Sequence, residues 1–163
     1  MEALISNYYN TIFAYIFRRT GKREIAEDLT QETFLRLVNS ITSYKPIGKF
    51  SNYIFTIAVN VCNDYYRKNR LSFQNVDISS LPDNSMFDKK MENLEDTLVL
   101  KDLIDSLPDM QKEVLILRFF HDMKIKDIAK ITSASIPTVK SRLRQGLNKL
   151  RNILESEDDY EQY

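Results

Sequence analysis

A chain of 163 residues holds one ordinary domain or two small ones, and is long enough to bury a core. Its 3 glycines, 4 prolines and 43% apolar residues supply too few chain-reversing positions for an all-β sandwich or barrel, so an all-α fold is expected. Lys plus Arg and Asp plus Glu both number 23, and with Cys62 the sole cysteine and His121 the sole histidine a disulfide framework and a cysteine-rich zinc cluster are excluded. Catalytic triads and metal centres are poorly supplied, and no cofactor is expected. The first residues, Met1-Glu2-Ala3-Leu4, lack a basic segment followed by an apolar run, and no stretch approaches the length of a membrane span. A soluble, cytoplasmic protein without membrane insertion is the expectation.

Along residues 1–70, apolar side chains recur every three or four positions. Leu4, Tyr8, Ile12, Tyr15 and Ile16, with Arg19, trace a first helix; Ile25, Leu29, Thr33 and Leu37 a second; Ile54, Ile57, Ala58, Val61 and Tyr65 a third. Gly21 suits the first turn, Pro46 and Gly48 the second, and Ser51 the N-cap of the third helix. On the second helix, Ala26, Leu29, Thr33, Phe34, Leu37 and Val38 form the inner arc. Asp28, Gln31, Glu32 and Leu35 fall together outside, an apolar residue among acidic and amide groups that suggests a protein-binding patch, although a single exposed leucine is common and needs no explanation. The third helix turns Tyr53, Thr56, Asn60, Asn63, Asp64 and Arg67 outward, with Lys68 and Arg70 beyond them. An aromatic, amides and a basic end suit single-stranded bases, and a polar helix face equally suits plain solvent.

Residues 71–85 show no sustained helical period and are rich in Ser, Asn and Asp, the composition of a flexible linker. Helices follow over 98–106, 108–120, 125–131 and 135–154, with Pro108 and Pro137 in first turns, where a missing N–H costs little. The last helix sets Val139, Leu143, Leu147, Leu150 and Leu154 on a core face. Opposite lie Thr138, Ser141 and Gln145, flanked by Arg142 and Lys149 on one side and Lys140 and Arg144 on the other. Short polar groups framed by cations suit a helix in the major groove, and a short helix around Ile128 and Ala129 with a turn at Thr132-Ser133-Ala134 completes the spacing of a helix-turn-helix. Zero net charge conceals segregation: residues 1–70 carry +4, 71–98 carry −4, 99–154 carry +5 and 155–163 carry −5. Two basic blocks separated and followed by acidic ones fit a polyanion-binding protein.

Ala26-Glu27-Asp28-Leu29-Thr30-Gln31-Glu32-Thr33-Phe34, Ile57-Ala58-Val59-Asn60 with Tyr65-Tyr66-Arg67-Lys68, Ser106-Leu107-Pro108 through Leu117-Arg118, Asp127-Ile128-Ala129 and Thr138-Val139-Lys140-Ser141-Arg142-Leu143 occur in this order. As a set they resemble the extracytoplasmic-function (ECF) RNA polymerase sigma factors of the sigma-70 superfamily, two-domain bacterial initiation factors. The resemblance implies region 2 over 1–70, a linker over 71–93, region 4 over 94–154 and an acidic tail over 155–163. It implies as partners core RNA polymerase, through the beta-prime clamp helices and the beta flap, and promoter DNA, and it admits an anti-sigma factor. It assigns Asp28, Gln31, Glu32 and Leu35 to the clamp, Tyr53, Asn60, Asn63, Arg67 and Lys68 to the minus-10 element, and the Tyr44 to Lys49 loop to an extruded base. Thr138, Lys140, Ser141, Arg142, Arg144 and Gln145 go to the minus-35 element. No residue is catalytic in this reading.

Three departures from the family pattern stand out, at Val59, at Gln145-Gly146 and at Ser133. Val59 stands where Arg is usual, which removes a potential phosphate contact. Gln145-Gly146 replaces Arg-Ala, and Gly146 costs the helix roughly 0.5–1 kcal/mol relative to Ala. Ser133 replaces a frequent turn glycine and is strained if its φ is positive. The alternative reading is a stand-alone helix-turn-helix regulator whose N-terminal half dimerises or binds a ligand, for which the outer patch of the second helix has no use.

Overall fold

The structure, a computed structural model, describes residues 2–45, 47–70 and 94–160. The flexible linker expected over 71–93 lies outside the described residues. The chain divides into two compact units, Met1–Ser85 and Met86–Tyr163, and all regular structure in the described residues is helical.

In the first unit, α1 (Glu2–Thr20), α2 (Arg23–Ser40) and α3 (Phe50–Arg70) pack against one another. Gly21 ends α1 with φ +72°, and its N–H bonds the Phe17 carbonyl at 2.8 Å, a left-handed stop that a side chain would resist. The core repeats the expected periods. Ile12, Tyr15 and Ile16 of α1, Ala26 and Leu37 of α2, and Ile54, Ala58 and Cys62 of α3 are each 2% exposed or less, so the lone cysteine is a buried apolar residue. Val38 and Val59 correct the expected faces: Val38 is 49% exposed and Val59 is 1% exposed, with Phe55 buried at 2% as well. At residue 59 the side chain fills the core, so a valine there follows from packing and the reading of a lost DNA contact falls. Ser51 is not the cap of α3. The helix begins at Phe50, and the Lys49 carbonyl accepts from Asn52 and Tyr53.

The second unit comprises α4 (Leu94–Asp105), α5 (Asp109–Leu115), α6 (Ile125–Thr132) and α7 (Ile136–Tyr160). Pro108 precedes α5, its carbonyl accepting from Gln111 and Lys112 at 3.0 and 2.9 Å. Beyond Leu115 the helix widens into a π turn over Ile116–Phe120, where the sequence pattern indicates one regular helix. Five successive residues from Glu113 to Leu117 are buried. Steps of about 100° cannot place five neighbours on one face, so this segment is covered on several sides and forms the centre of the unit. A half-buried Arg118 donates from Nη1 to the Met123 carbonyl at 2.8 Å, closing the segment that follows the π turn.

Candidate functional site

The outer face of α2 is set by what its inner face buries. Thr30 and Thr33 are 0% exposed, and their hydroxyls donate to the Ala26 and Leu29 carbonyls at 2.6 and 2.7 Å, so neither needs a partner elsewhere. With that stripe inside, Asp28, Gln31 and Leu35 are exposed, Leu35 at 60%. Val38 follows Leu35 by one turn, which widens the apolar part of the patch. Glu32 is not free: its Oε1 accepts from Arg36 Nε at 2.9 Å.

Arg36, which the periodicity of α2 did not single out, ties this face to α3. Its Nη1 donates to Asp64 Oδ2 at 3.0 Å, and Asp64 Oδ1 in turn accepts from Arg67. The hydrogen bonds that Arg36 donates to Glu32 and Asp64 raise its pKa further above the ordinary value, so the guanidinium is charged at every accessible pH. Glu32 and Arg67, expected to meet different partners, are thus the two ends of one chain of alternating charges. Asn60 and Lys68 are exposed on α3. Asn63 is exposed as well, but its Oδ1 accepts from Arg19 Nη2 of α1 at 3.0 Å.

Tyr53 departs from its expected exposure. It is half-buried, its hydroxyl bonded to that of Ser40 and its ring 4.5 Å from that of Tyr44. Phe50 packs on Tyr44 at 5.9 Å and on Tyr8 of α1 at 5.3 Å. These rings form the base of the 44–49 loop, which presents Lys45, Ile47 and Lys49 outward, Ile47 at 86% exposure, with Gly48 at φ +94°. Thr56 is half-buried too, its hydroxyl returned to the Asn52 carbonyl.

In the second unit, α6, the turn and α7 form the helix-turn-helix. Ser133 closes α6 at φ +54° and ψ +36°, and Ala134 N–H reaches back to the Ala129 carbonyl at 3.0 Å. Ser135 caps α7, its Oγ accepting from the Thr138 N–H at 3.3 Å and its carbonyl from Val139. The buried face of α7 runs through Val139, Leu143 and Gly146, with Leu150 half-buried, so Leu147 and Leu154 are exposed at 44% and 46% against expectation. Gly146 faces α5: a Cβ there would lie 2.7 Å from Leu115 Cδ1. Lys140, Arg144 and Gln145 are exposed, and Thr138, Ser141 and Arg142 half-buried. Gln145 leans toward α5, where its Oε1 accepts from Gln111 Nε2 at 3.4 Å. Lys149 Nζ donates to the Ser106 carbonyl at 3.3 Å, beside the end of α4.

Among the described residues no group of three or more His, Cys, Asp or Glu is placed to hold a metal ion, and no helix is long and apolar enough to cross a membrane. A three-helix unit with a polar and apolar patch on its middle helix, followed in the same chain by a helix-turn-helix unit, is the architecture of the two-domain sigma-70 proteins. The family models agree: Sigma-70 region 2 matches residues 4–71 and Sigma-70, region 4 matches residues 97–150. The chain is 29% identical to the RNA polymerase sigma factor YlaC of Bacillus subtilis, over 98% of this chain and 95% of that one. It is 30% identical to the ECF RNA polymerase sigma factor EcfG of Rhodopseudomonas palustris, over 86% of this chain and 77% of that one. Among solved structures, the sigma factor RpoE of Bartonella quintana, crystallised with the anti-sigma factor NepR, superposes with a TM-score of 0.82 at 23% identity, covering 94% of this chain and 96% of that one. This chain belongs to the ECF RNA polymerase sigma factors.

Proposed function

We propose that the chain directs core RNA polymerase to a class of promoters through three surfaces. The outer face of α2, with Asp28, Gln31, Glu32 and Leu35, docks on the polymerase clamp. The outer face of α3, with Asn60, Asn63, Arg67 and Lys68, receives the minus-10 strand as it opens. On α7, Lys140, Ser141 and Arg144 meet the minus-35 duplex together with Thr138, Arg142 and Gln145, of which Gln145 leans toward α5. Tyr53 supports the 44–49 loop from beneath in this assignment, and the loop's outward side is what an extruded base meets. The protein contributes binding energy and no chemistry of its own, and it works where polymerase and DNA are, in the cytoplasm.

The observation that carries this reading is the exposure of Asp28, Gln31 and Leu35 on a helix whose other side buries Ala26, Thr30, Thr33, Phe34 and Leu37. A solvated face has no need of an apolar residue 60% exposed between an amide and an apolar Val38. Gln31→Ala combined with Leu35→Ala should leave the fold intact, since exposed substitutions shift stability by about 0.5 kcal/mol or less. Affinity for core polymerase and run-off transcription should both fall clearly. Wild-type affinity in the folded double variant would remove the α2 face from the interface.

A further inference from the structure

Arg19 is the one fully buried cation among the described residues, at 0% exposure, and a buried charge survives only where its donors are used. Its Nη1 donates to Tyr15 Oη at 3.1 Å and its Nη2 to Asn63 Oδ1 at 3.0 Å, with its guanidinium 5.4 Å from the Tyr66 ring centroid. Tyr66 closes the arrangement by donating its hydroxyl to the Arg19 carbonyl at 2.8 Å. Arg19 is therefore anchored on three sides, and of Tyr15, Asn63 and Tyr66 Asn63 alone is exposed.

A guanidinium has donors and no acceptor. The atom of the Asn63 amide that faces it has to be the oxygen, so the amide NH2 lies on the other side of the same planar group, away from Arg19. Among the described residues nothing else hydrogen-bonds that amide. A free asparagine on a helix presents either a donor or an acceptor by turning over, and this one is held to donors alone.

We propose that Arg19 is a positioning residue for promoter recognition. It locks Asn63 so that α3 offers two N–H donors to the opened strand, and Asn63 thereby selects a hydrogen-bond acceptor, either a base oxygen or ring nitrogen or a phosphate oxygen. The proposal rests on the assignment of the outer face of α3 to the minus-10 element. Asn60 and Arg67 share that face with Asn63, at spacings of three and four residues.

The test uses the full chain assembled with core polymerase, and promoter fragments carrying a single-stranded minus-10 element. Asn63→Ala removes the donors, and affinity should fall about five- to tenfold. Asn63→Asp keeps an oxygen for Arg19, and the thermal midpoint of the free chain should not fall. It also turns a second acceptor toward the DNA, so its affinity should fall about tenfold below that of Asn63→Ala. Binding by Asn63→Asp equal to or tighter than that of Asn63→Ala overturns the proposal. Arg19→Met lets the amide turn: affinity for DNA should drop toward that of Asn63→Ala, adding Asn63→Ala should then cost nothing further, and affinity for core polymerase should hold. Full additivity of the two substitutions overturns it. If Arg19→Met does not fold, the two Asn63 variants decide alone. Abasic substitution along the strand identifies the acceptor: loss of the Asn63→Ala effect at one position assigns a base atom, and persistence at every position assigns a phosphate oxygen. Failure of the α3 assignment itself looks different, because Asn60→Ala would then bind the opened strand as wild type does.

Discussion

Ser133 carries a conformation that its side chain disfavours. At φ +54° an L-residue costs about 1–2 kcal/mol, and glycine escapes that penalty while losing more chain entropy on folding. The balance favours Ser133→Gly by about 0.5–1 kcal/mol. A raised thermal midpoint of the second unit would check it, and a lowered one would mean that the hydroxyl makes a contact worth more than the strain. The strain was legible in the sequence, because a serine in a helix-turn-helix turn raises the question of φ at once. Arg19 was half legible. Its place in the apolar period of α1 pointed inward with Tyr15 one turn before it, whereas Asn63 and Tyr66, which complete its surroundings, lie 44 and 47 positions away, and no local pattern announces them. Tyr53 failed for a related reason: the helical projection puts it outside, and a loop ring that the projection does not contain covers it.

At the scale of the helix, Gly146 changes meaning. By propensity alone Gly146→Ala should stabilise α7 by about 1 kcal/mol. In the folded unit the added methyl meets Leu115 Cδ1 at 2.7 Å and Gln111 Cβ at 3.5 Å. Leu115 is 5% exposed and has little room to swing, and overpacking of this kind costs about 1–3 kcal/mol. Gly146→Ala should therefore lower stability by about 1 kcal/mol, and in a Leu115→Ala background the same change should become stabilising. Denaturant unfolding of the four proteins measures that reversal of sign, and two equal effects would show that α5 and α7 do not compete for the space. The helices themselves were legible because apolar period is a local signal. The buried face of α7 was not read correctly, since a step of four from Leu143 leads to Leu147 whereas the packed face steps by three to Gly146, which has no side chain to announce it. The π turn after α5 was illegible because consecutive apolar residues fit a regular helix and a wider one equally. On α2 and α3 Asp28, Gln31, Leu35, Asn60, Asn63 and Arg67 lie outside as the inner stripes require, whereas the exposure of Val38, the half-burial of Tyr53 and Thr56 and the Arg36 bridge needed coordinates.

For the whole molecule, two basic segments, residues 1–70 and 99–154, imply two separable contributions to promoter use. Contacts with duplex phosphate release counterions, so removing one cation should weaken binding and reduce the salt slope by about one contact. Arg144 is exposed on α7 and meets this description. Asn60 is uncharged and exposed on α3, and its contribution, if the face receives an opened strand, appears after the duplex separates. Opening has a cost of its own that a mismatched bubble removes in advance. Transcription by Asn60→Ala should accordingly be restored toward wild type on a promoter with a pre-melted minus-10 bubble, while Arg144→Ala should remain defective on the same template and lose its deficit only as salt is lowered. Run-off transcription on paired and bubble templates at two salt concentrations separates the roles. Equal rescue of both variants by the bubble would place Arg144 in opening, and rescue of neither would show that the Asn60→Ala defect is not one of opening.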